Sequence, residues 1–95
     1  MTAYVIGEIE VTDPALYEEY RKQVPAVVQK YGGRFVVRGG KVEPLEGGWT
    51  PKRLVALEFP SLEQAQKWYR SPDYAPLIKL RQKASRGKLL IVEGA

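Results

Sequence analysis

The 95-residue sequence contains no cysteine, no histidine and no asparagine. Without cysteine the chain forms no disulfide and no thiolate metal site. Without histidine it has no imidazole base, no proximal haem ligand and no Ser-His-Asp triad. Any chemistry of its own must therefore come from carboxylates, basic groups and aromatic side chains, and we predict no bound metal and no cofactor.

Long apolar runs are missing as well. The longest, such as Leu89 to Val92, are far shorter than the roughly 20 residues of a membrane span. The first residues show neither the basic nor the apolar region of a secretory signal, so we expect a cytoplasmic protein with no membrane segment. With 44% hydrophobic and 27% charged residues, the composition is typical of a globular protein. The length predicts a single domain over residues 1–95.

Period-2 and helical patterns alternate regularly along the chain. Strands are predicted at residues 3–11, 34–38, 52–59 and 88–93, with a possible strand extension at 41–45. A helix begins at Asp13-Pro14 and ends at Gly32, because an acidic cap before a proline starts helices and glycine stops them. Pro25 lies inside this helix, where it should bend or divide it, and we expect a kink near Gln23.

The second half of the chain repeats these signals. Ser61 followed by Gln64 is a capping box that opens a second helix. Ser71-Pro72 predicts a further helical segment over residues 72–84, with Pro76 as an alternative start and Gly87 as its stop. The resulting order of strand, helix, strand, strand, helix, strand is the ferredoxin-like α+β arrangement. We expect a four-stranded antiparallel sheet with strands one and three in the middle and the helices on one face.

The two faces of the predicted sheet differ in character. The face toward the helices is almost wholly apolar and comprises Val5, Ile9, Val11, Phe35, Val37, Val55, Leu57, Phe59, Leu89 and Ile91. The opposite face, here called the open face, mixes apolar and charged residues: Tyr4, Ile6, Val36, Leu54, Ala56, Leu90 and Val92 with Glu8, Glu10, Arg34, Arg38, Glu58 and Lys88. An apolar patch of this kind usually marks an interaction surface. A second copy packed sheet to sheet about a twofold axis would cover it and enclose a partly polar cavity.

The charges of the open face allow pairing across strands. If Arg38 lies opposite Leu54, then Arg34 lies opposite Glu58. Without a ligand, these charges would form salt bridges at the rim or between subunits.

One family shares many short segments with this sequence. They are GGRFVVRGG at residues 32–40, Val42-Glu43, Leu45-Glu46-Gly47, Trp49, Pro51, Arg53, Glu58-Phe59-Pro60-Ser61, Trp68 and Ser71-Pro72-Asp73-Tyr74. In these segments the chain closely resembles the domain-of-unknown-function 1330 family. The resemblance implies a ferredoxin-like homodimer of the dimeric α/β-barrel superfamily, with the two sheets facing one another, and no established activity. Related families include cofactor-independent monooxygenases, muconolactone-isomerase-like proteins and haem-dependent chlorite dismutases, but this chain has no histidine for a haem ligand or base.

A ligand between the two sheets would meet a defined set of side chains. Arg38 offers a bidentate fork for a carboxylate, and Glu8 or Glu58 in a semi-apolar setting can accept a proton. Tyr4 or Tyr74 supplies a hydroxyl donor and Trp49 a stacking wall. We therefore predict a site for a small anion or an aromatic acid, with cofactor-independent isomerase-like or oxygenase-like activity as the candidate chemistry.

Two more arginines are weaker candidates for the site. Arg53 belongs by alternation to the helix-facing set, at a strand end, and Arg81 lies on a predicted helix, where a solvated side suits it. Trp68 and Tyr69 are interpreted as packing residues, because a helix needs large apolar groups to cover a sheet.

Two other functions remain open. A non-catalytic dimer would regulate or scaffold another protein. Single-stranded nucleic-acid binding is suggested by the strand order, which RNA-recognition domains share, and by a pI near 9.4. RNA-recognition domains stack bases on aromatics of the two central strands, whereas strand three presents Leu54, Ala56 and Glu58. Nucleic-acid binding is therefore the less favoured alternative.

Overall fold

A computed structural model describes all 95 residues, Met1 to Ala95. Its elements are β1 (Ala3–Val11), α1 (Pro14–Lys30), β2 (Arg34–Arg38), β3 (Leu54–Phe59), α2 (Leu62–Tyr69), α3 (Ala75–Ala84) and β4 (Ser85–Glu93). The four strands form one sheet in the order β2-β3-β1-β4, with every neighbouring pair antiparallel. The predicted ferredoxin-like α+β fold, with strands one and three in the middle, is therefore confirmed.

The helices cover one face of the sheet and enclose the core. Alternate residues of β1, among them Val5 and Ile9, are buried against them. The largest fully buried side chains are Trp68, Tyr74 and Phe59. Burial of an aromatic side chain of this size stabilises a fold by several kcal/mol relative to alanine, in the range of about 3–5. None of the three helices has the length and apolar character needed to cross a bilayer.

The helix starts follow their predicted caps. Asp13 Oδ1 accepts a hydrogen bond from the Leu16 amide at 3.1 Å, and Ser61 Oγ accepts one from the Gln64 amide at 3.1 Å. Gly32 has a φ of 82°, the left-handed conformation that ends a helix readily at glycine. Pro25 does not divide α1, because the helix runs unbroken from Pro14 to Lys30; the kink expected near Gln23 stays a prediction.

Two predicted boundaries in the last third of the chain are also wrong. The helical segment expected from residue 72 begins at Ala75, because Ser71 holds a turn in front of it. Ser71 Oγ donates to the Trp68 carbonyl at 2.8 Å and accepts from the Tyr74 amide at 3.1 Å. At its other end α3 passes directly into β4 at Ser85.

The possible strand extension at residues 41–45 does not form, because no strand lies between β2 and β3.

Gly87, expected to stop a helix, lies inside β4 opposite Ile9. A Cβ atom at this position would lie 2.0 Å from the backbone oxygen of Glu8, so any side chain must push the two strands apart. We predict that Gly87→Ala destabilises the protein by about 2 kcal/mol or more and lowers Tm by roughly 10 °C. Gly40→Ala is the matched control, because no atom lies within 4 Å of its Cβ position. Equal melting temperatures of the two variants would contradict this reading of the β1–β4 contact.

Candidate functional site

A β-bulge in β2 decides which side of the sheet carries Arg38. Arg34 pairs with Glu58 and Phe35 with Leu57, but the register then shifts, so that Val37 lies opposite Ala56 and Arg38 opposite Val55. The extra residue turns every later side chain of the strand to the other face. The predicted pairing of Arg34 with Glu58 is confirmed, whereas that of Arg38 with Leu54 is wrong.

As a result, Arg38 and Val37 exchange their predicted faces. Val37 is exposed on the open face, and Arg38 is half-buried on the helix side. The Arg38 guanidinium lies 4.3 Å from the centroid of the Phe35 ring, and its Nη2 donates to the Arg21 carbonyl of α1 at 2.9 Å.

Arg38 borders a small cavity between the sheet and the helices, here called the helix-side cavity. Its volume is about 30 Å³, enough for a water molecule or two. Eleven of its fifteen lining residues are hydrophobic, and the other four are Arg21, Arg38, Arg53 and Arg81. No carboxylate lines it, so the cavity combines an apolar wall with concentrated positive charge.

The arginines of this cavity have unused hydrogen-bonding capacity. The Nε atoms of Arg53 and Arg81 are buried without a hydrogen-bond partner, as is Nε1 of Trp68. The Arg53 guanidinium lies 5.5 Å from the centroid of the Tyr17 ring. Buried donors of this kind are normally hydrogen-bonded, and these three can donate to a group that enters the cavity.

The guanidinium groups that line the cavity also repel one another. Burial lowers the pKa of Arg38, and the charges of Arg21 and Arg53 lower it further. Arg21 has a carboxylate partner, Glu18 at 3.7 Å. Arg38, Arg53 and Arg81 form no salt bridge with any residue of the chain. A bound anion would relieve both the repulsion and the missing hydrogen bonds.

Arg81 is placed differently from its prediction. It was interpreted as lying on a solvated side of its helix, but it is half-buried and lines the cavity. Its spacing from the buried residues Leu77 and Ala84 is four and three positions, which puts all three on one helix face. That spacing was the sequence signal for its position. Arg53 lies on the helix-facing side, as predicted.

A pair of tyrosines forms the inner part of the cavity. The hydroxyl groups of Tyr20 and Tyr74 lie 2.7 Å apart, and the Tyr74 ring stacks on Trp68 with centroids 4.2 Å apart. Tyr74 is only 1% exposed. Its neighbour Asp73 accepts hydrogen bonds from Lys30 Nζ at 3.0 Å and the Tyr31 hydroxyl at 2.8 Å, which ties this turn to α1.

Both phenols stay neutral at ordinary pH. Burial raises the pKa of Tyr20 far above its usual value near 10, and the adjacent Tyr74 raises it further. Burial is also the main cause of the raised pKa of Tyr74. One hydroxyl donates to the other, so the neutral pair has one phenolic proton left to donate and no phenolate to act as a base.

The tyrosine pair predicts a loss of stability at alkaline pH. A folded-state pKa raised above the unfolded value of about 10 gives stability that is present below pH 10 and lost as the pH rises further. We expect Tyr20 and Tyr74 to ionise only as the protein unfolds, seen as tyrosinate absorbance that appears together with the loss of circular dichroism. The variants Tyr20→Phe and Tyr74→Phe assign the signal, because each lacks the tyrosinate absorbance of the residue replaced. Ionisation of either phenol in the folded state would contradict the prediction.

The other four predicted site residues lie on the open face. Glu8 accepts a hydrogen bond from Trp49 Nε1 at 3.0 Å, and Glu58 accepts one from Arg34 Nε at 3.0 Å. Tyr4 lies opposite Glu58 in the β1–β3 register, and Trp49 is 57% exposed in the loop before β3. The sheet thus separates these four from Arg38 and Tyr74, and the six do not form one cluster within the chain.

The strand order and the single helical layer define a ferredoxin-like α+β domain. Within that class, the chain belongs to the family described as "Domain of unknown function (DUF1330)", whose model matches residues 2–95. The resemblance seen in the sequence is thereby confirmed. A search of curated proteins returns no significant match.

Solved structures of distant relatives share this fold. A protein of unknown function from Rhodopseudomonas palustris, RPA0582, is 18% identical with a TM-score of 0.78, covering 99% of this chain and 82% of that one. SnoaB, a cofactor-independent oxygenase from Streptomyces nogalater, is 12% identical with a TM-score of 0.71 over 99% and 93% of the two chains. A putative antibiotic biosynthesis monooxygenase from Nitrosomonas europaea is 11% identical with a TM-score of 0.57, over 98% and 89%.

Proposed function

We propose that the protein binds a small organic anion with an aromatic or other planar apolar body in the helix-side cavity. One observation carries this proposal: Arg38, Arg53 and Arg81 face an apolar-walled cavity without a carboxylate partner. A guanidinium fork matches the geometry of a carboxylate and binds it through two parallel hydrogen bonds. The aromatic lining, including Phe35 and Trp68, suits a flat ligand body.

The cavity must enlarge to take such a ligand. At about 30 Å³ it is far smaller than the few hundred Å³ typical of sites for larger ligands. The half-buried side chain of Arg53 borders the cavity and is the group whose movement would open it. The ligand carboxylate would then take the place of the Arg38 contact with solvent, while the apolar body enters between α1 and the sheet.

The lining groups favour one class of chemistry over another. An isomerase needs a group that removes a proton from its substrate, and the two candidate bases, Glu8 and Glu58, lie on the opposite face of the sheet. The cavity instead offers positive charge and neutral phenols, which stabilise an anion that already exists. This supports oxygenase-like activity on an enolate or phenolate, in which the substrate carbanion adds to dioxygen. One carbon–oxygen bond forms, dioxygen is reduced by two electrons to a carbon-bound peroxide, and the peroxide takes a proton from water to give a hydroperoxide. SnoaB is described as a cofactor-independent oxygenase.

We further propose that the protein is a homodimer joined through the open face. Ile6, Val36, Val37, Leu90 and Val92 are all exposed there, so a monomer would leave a continuous apolar surface in water. The ion pairs of the face, Arg34 with Glu58 at 3.0 Å and Arg86 with Glu10 at 3.5 Å, are already formed within the chain. A second copy would therefore bury apolar side chains without stranding these charges.

A thermal-shift comparison of charged and uncharged ligands tests the binding proposal. Benzoate and salicylate are expected to raise Tm, and benzamide, which has the same ring without the negative charge, is expected not to. At a hundredfold excess over Kd, one site stabilises the folded protein by about 2.7 kcal/mol, or roughly 10 °C or more for a domain of this size. Equal shifts with benzamide would show that the arginines do not recognise the charge. Absence of any shift would favour the non-catalytic dimer.

A further inference from the structure

Pro25 leaves one carbonyl of α1 without its normal partner. In an α-helix the amide of each residue donates to the carbonyl four positions earlier, and proline has no amide hydrogen. Position 25 is well inside α1, which continues through it from Pro14 to Lys30. The carbonyl that loses its donor is that of Arg21. A proline ring inside a helix also crowds the carbonyl four positions earlier, which here is that of Arg21.

The same carbonyl is the acceptor for Arg38. Nη2 of Arg38 donates to the Arg21 oxygen at 2.9 Å. This contact occupies one of the five donors of the guanidinium and leaves the others available. Together with the Phe35 ring, 4.3 Å from the guanidinium carbon, it fixes the group from two sides at the border of the helix-side cavity.

We propose that Pro25 is a positioning residue of the anion site, which keeps the Arg21 carbonyl free so that this carbonyl holds Arg38 in place. The bulge in β2 turns Arg38 toward the helices, and the proline supplies the acceptor that meets it. The effect of Pro25 on ligand binding rests on the proposed function. The coupling between Pro25 and Arg38 does not, because it can be measured in the protein without ligand. An interior proline weakens a helix. If Pro25 had no role beyond packing, alanine at this position would give a more stable protein at no loss.

A double-mutant cycle without ligand tests the coupling. Pro25→Ala is expected to raise Tm in the wild-type chain, because the helix regains a hydrogen bond. In the Arg38→Ala background the gain should be larger by roughly 4–8 °C, since the Arg21 carbonyl has then lost the Arg38 donor. Pro14→Ala is the matched control, because a proline at the first helical position frees no carbonyl. Equal gains from Pro25→Ala in the two backgrounds would overturn the inference, whatever the ligand.

Calorimetric titration with benzoate then tests the consequence for binding. Pro25→Ala should weaken benzoate binding about tenfold although it melts at a higher temperature, while Pro14→Ala binds as the wild type does. A purely structural role would not move stability and affinity in opposite directions. If Arg38→Ala loses binding but Pro25→Ala keeps the wild-type Kd, positioning by Pro25 is refuted and the anion site stands. If Arg38→Ala itself binds normally, the proposed site is refuted, and the cycle alone decides the coupling.

Discussion

Replacing Arg38 with alanine abolishes measurable benzoate binding, whereas replacing Arg34 with alanine leaves the Kd unchanged: this is the expected result of the most direct test of the site. The two arginines lie four residues apart on one short strand, and an even spacing would normally put them on the same face. The bulge between Phe35 and Val37 separates them. Arg38 borders the helix-side cavity, and Arg34 is exposed and paired with Glu58 on the open face.

The size of the expected effect follows from the charge of the contact. A hydrogen bond to a charged group contributes about 1.5–3 kcal/mol, which corresponds to a loss of roughly ten- to 150-fold in affinity for one bond and more for a bidentate pair. Isothermal titration calorimetry on the three proteins measures it. Weaker binding by Arg34→Ala together with an unchanged Arg38→Ala would place the ligand between the two sheets, where the sequence first suggested.

The second large effect concerns assembly. Leu90 is 56% exposed at the centre of β4 on the open face, and a twofold dimer presents every interface residue twice. Leu90→Asp would therefore bring two unpaired carboxylates into an apolar interface, at a cost of several kcal/mol each. Light scattering is expected to give twice the chain mass of 10.7 kDa for the wild type and that mass itself for the variant.

Ala26→Asp serves as the control for this experiment. Ala26 is exposed on α1, on the side of the sheet away from the proposed interface, so the same new charge there should leave the particle mass unchanged. A wild-type particle of 10.7 kDa at micromolar concentration would contradict the dimer, and the apolar open face would then need a different partner.

The sequence was sufficient for the fold because each signal has a local cause. Alternation marked Val5 and Ile9 as one face of β1, and the Asp13 and Ser61 caps marked two helix starts. It was not sufficient for the site, because Val36 and Val37 are both apolar and their run does not reveal a bulge. The alternation of apolar and polar residues does not reveal the one extra residue of a β-bulge. That residue nevertheless moves Arg38 to the other side of the sheet.

Tyr74 shows a different limit. Its hydroxyl was expected in a site between the sheets, but its position depends on the turn that Ser71 closes and on stacking with Trp68, both of which are visible only in three dimensions. Arg81 differs again, since its spacing from Leu77 and Ala84 was readable and only the preference for a solvated arginine overrode it. Charged residues at core spacing in a helix are thus the signal that sequence reasoning missed here.

The helix-side cavity and the open face lie on opposite sides of the sheet, which has a consequence for how the two subunits of the proposed dimer would bind ligand. Each would load without reference to its neighbour, giving a stoichiometry of one ligand per chain and a hyperbolic isotherm. A monomeric Leu90→Asp protein would keep the intrinsic affinity of the assembled one. Ligand binding and dimerisation would therefore be independent, because they use opposite faces of the same sheet.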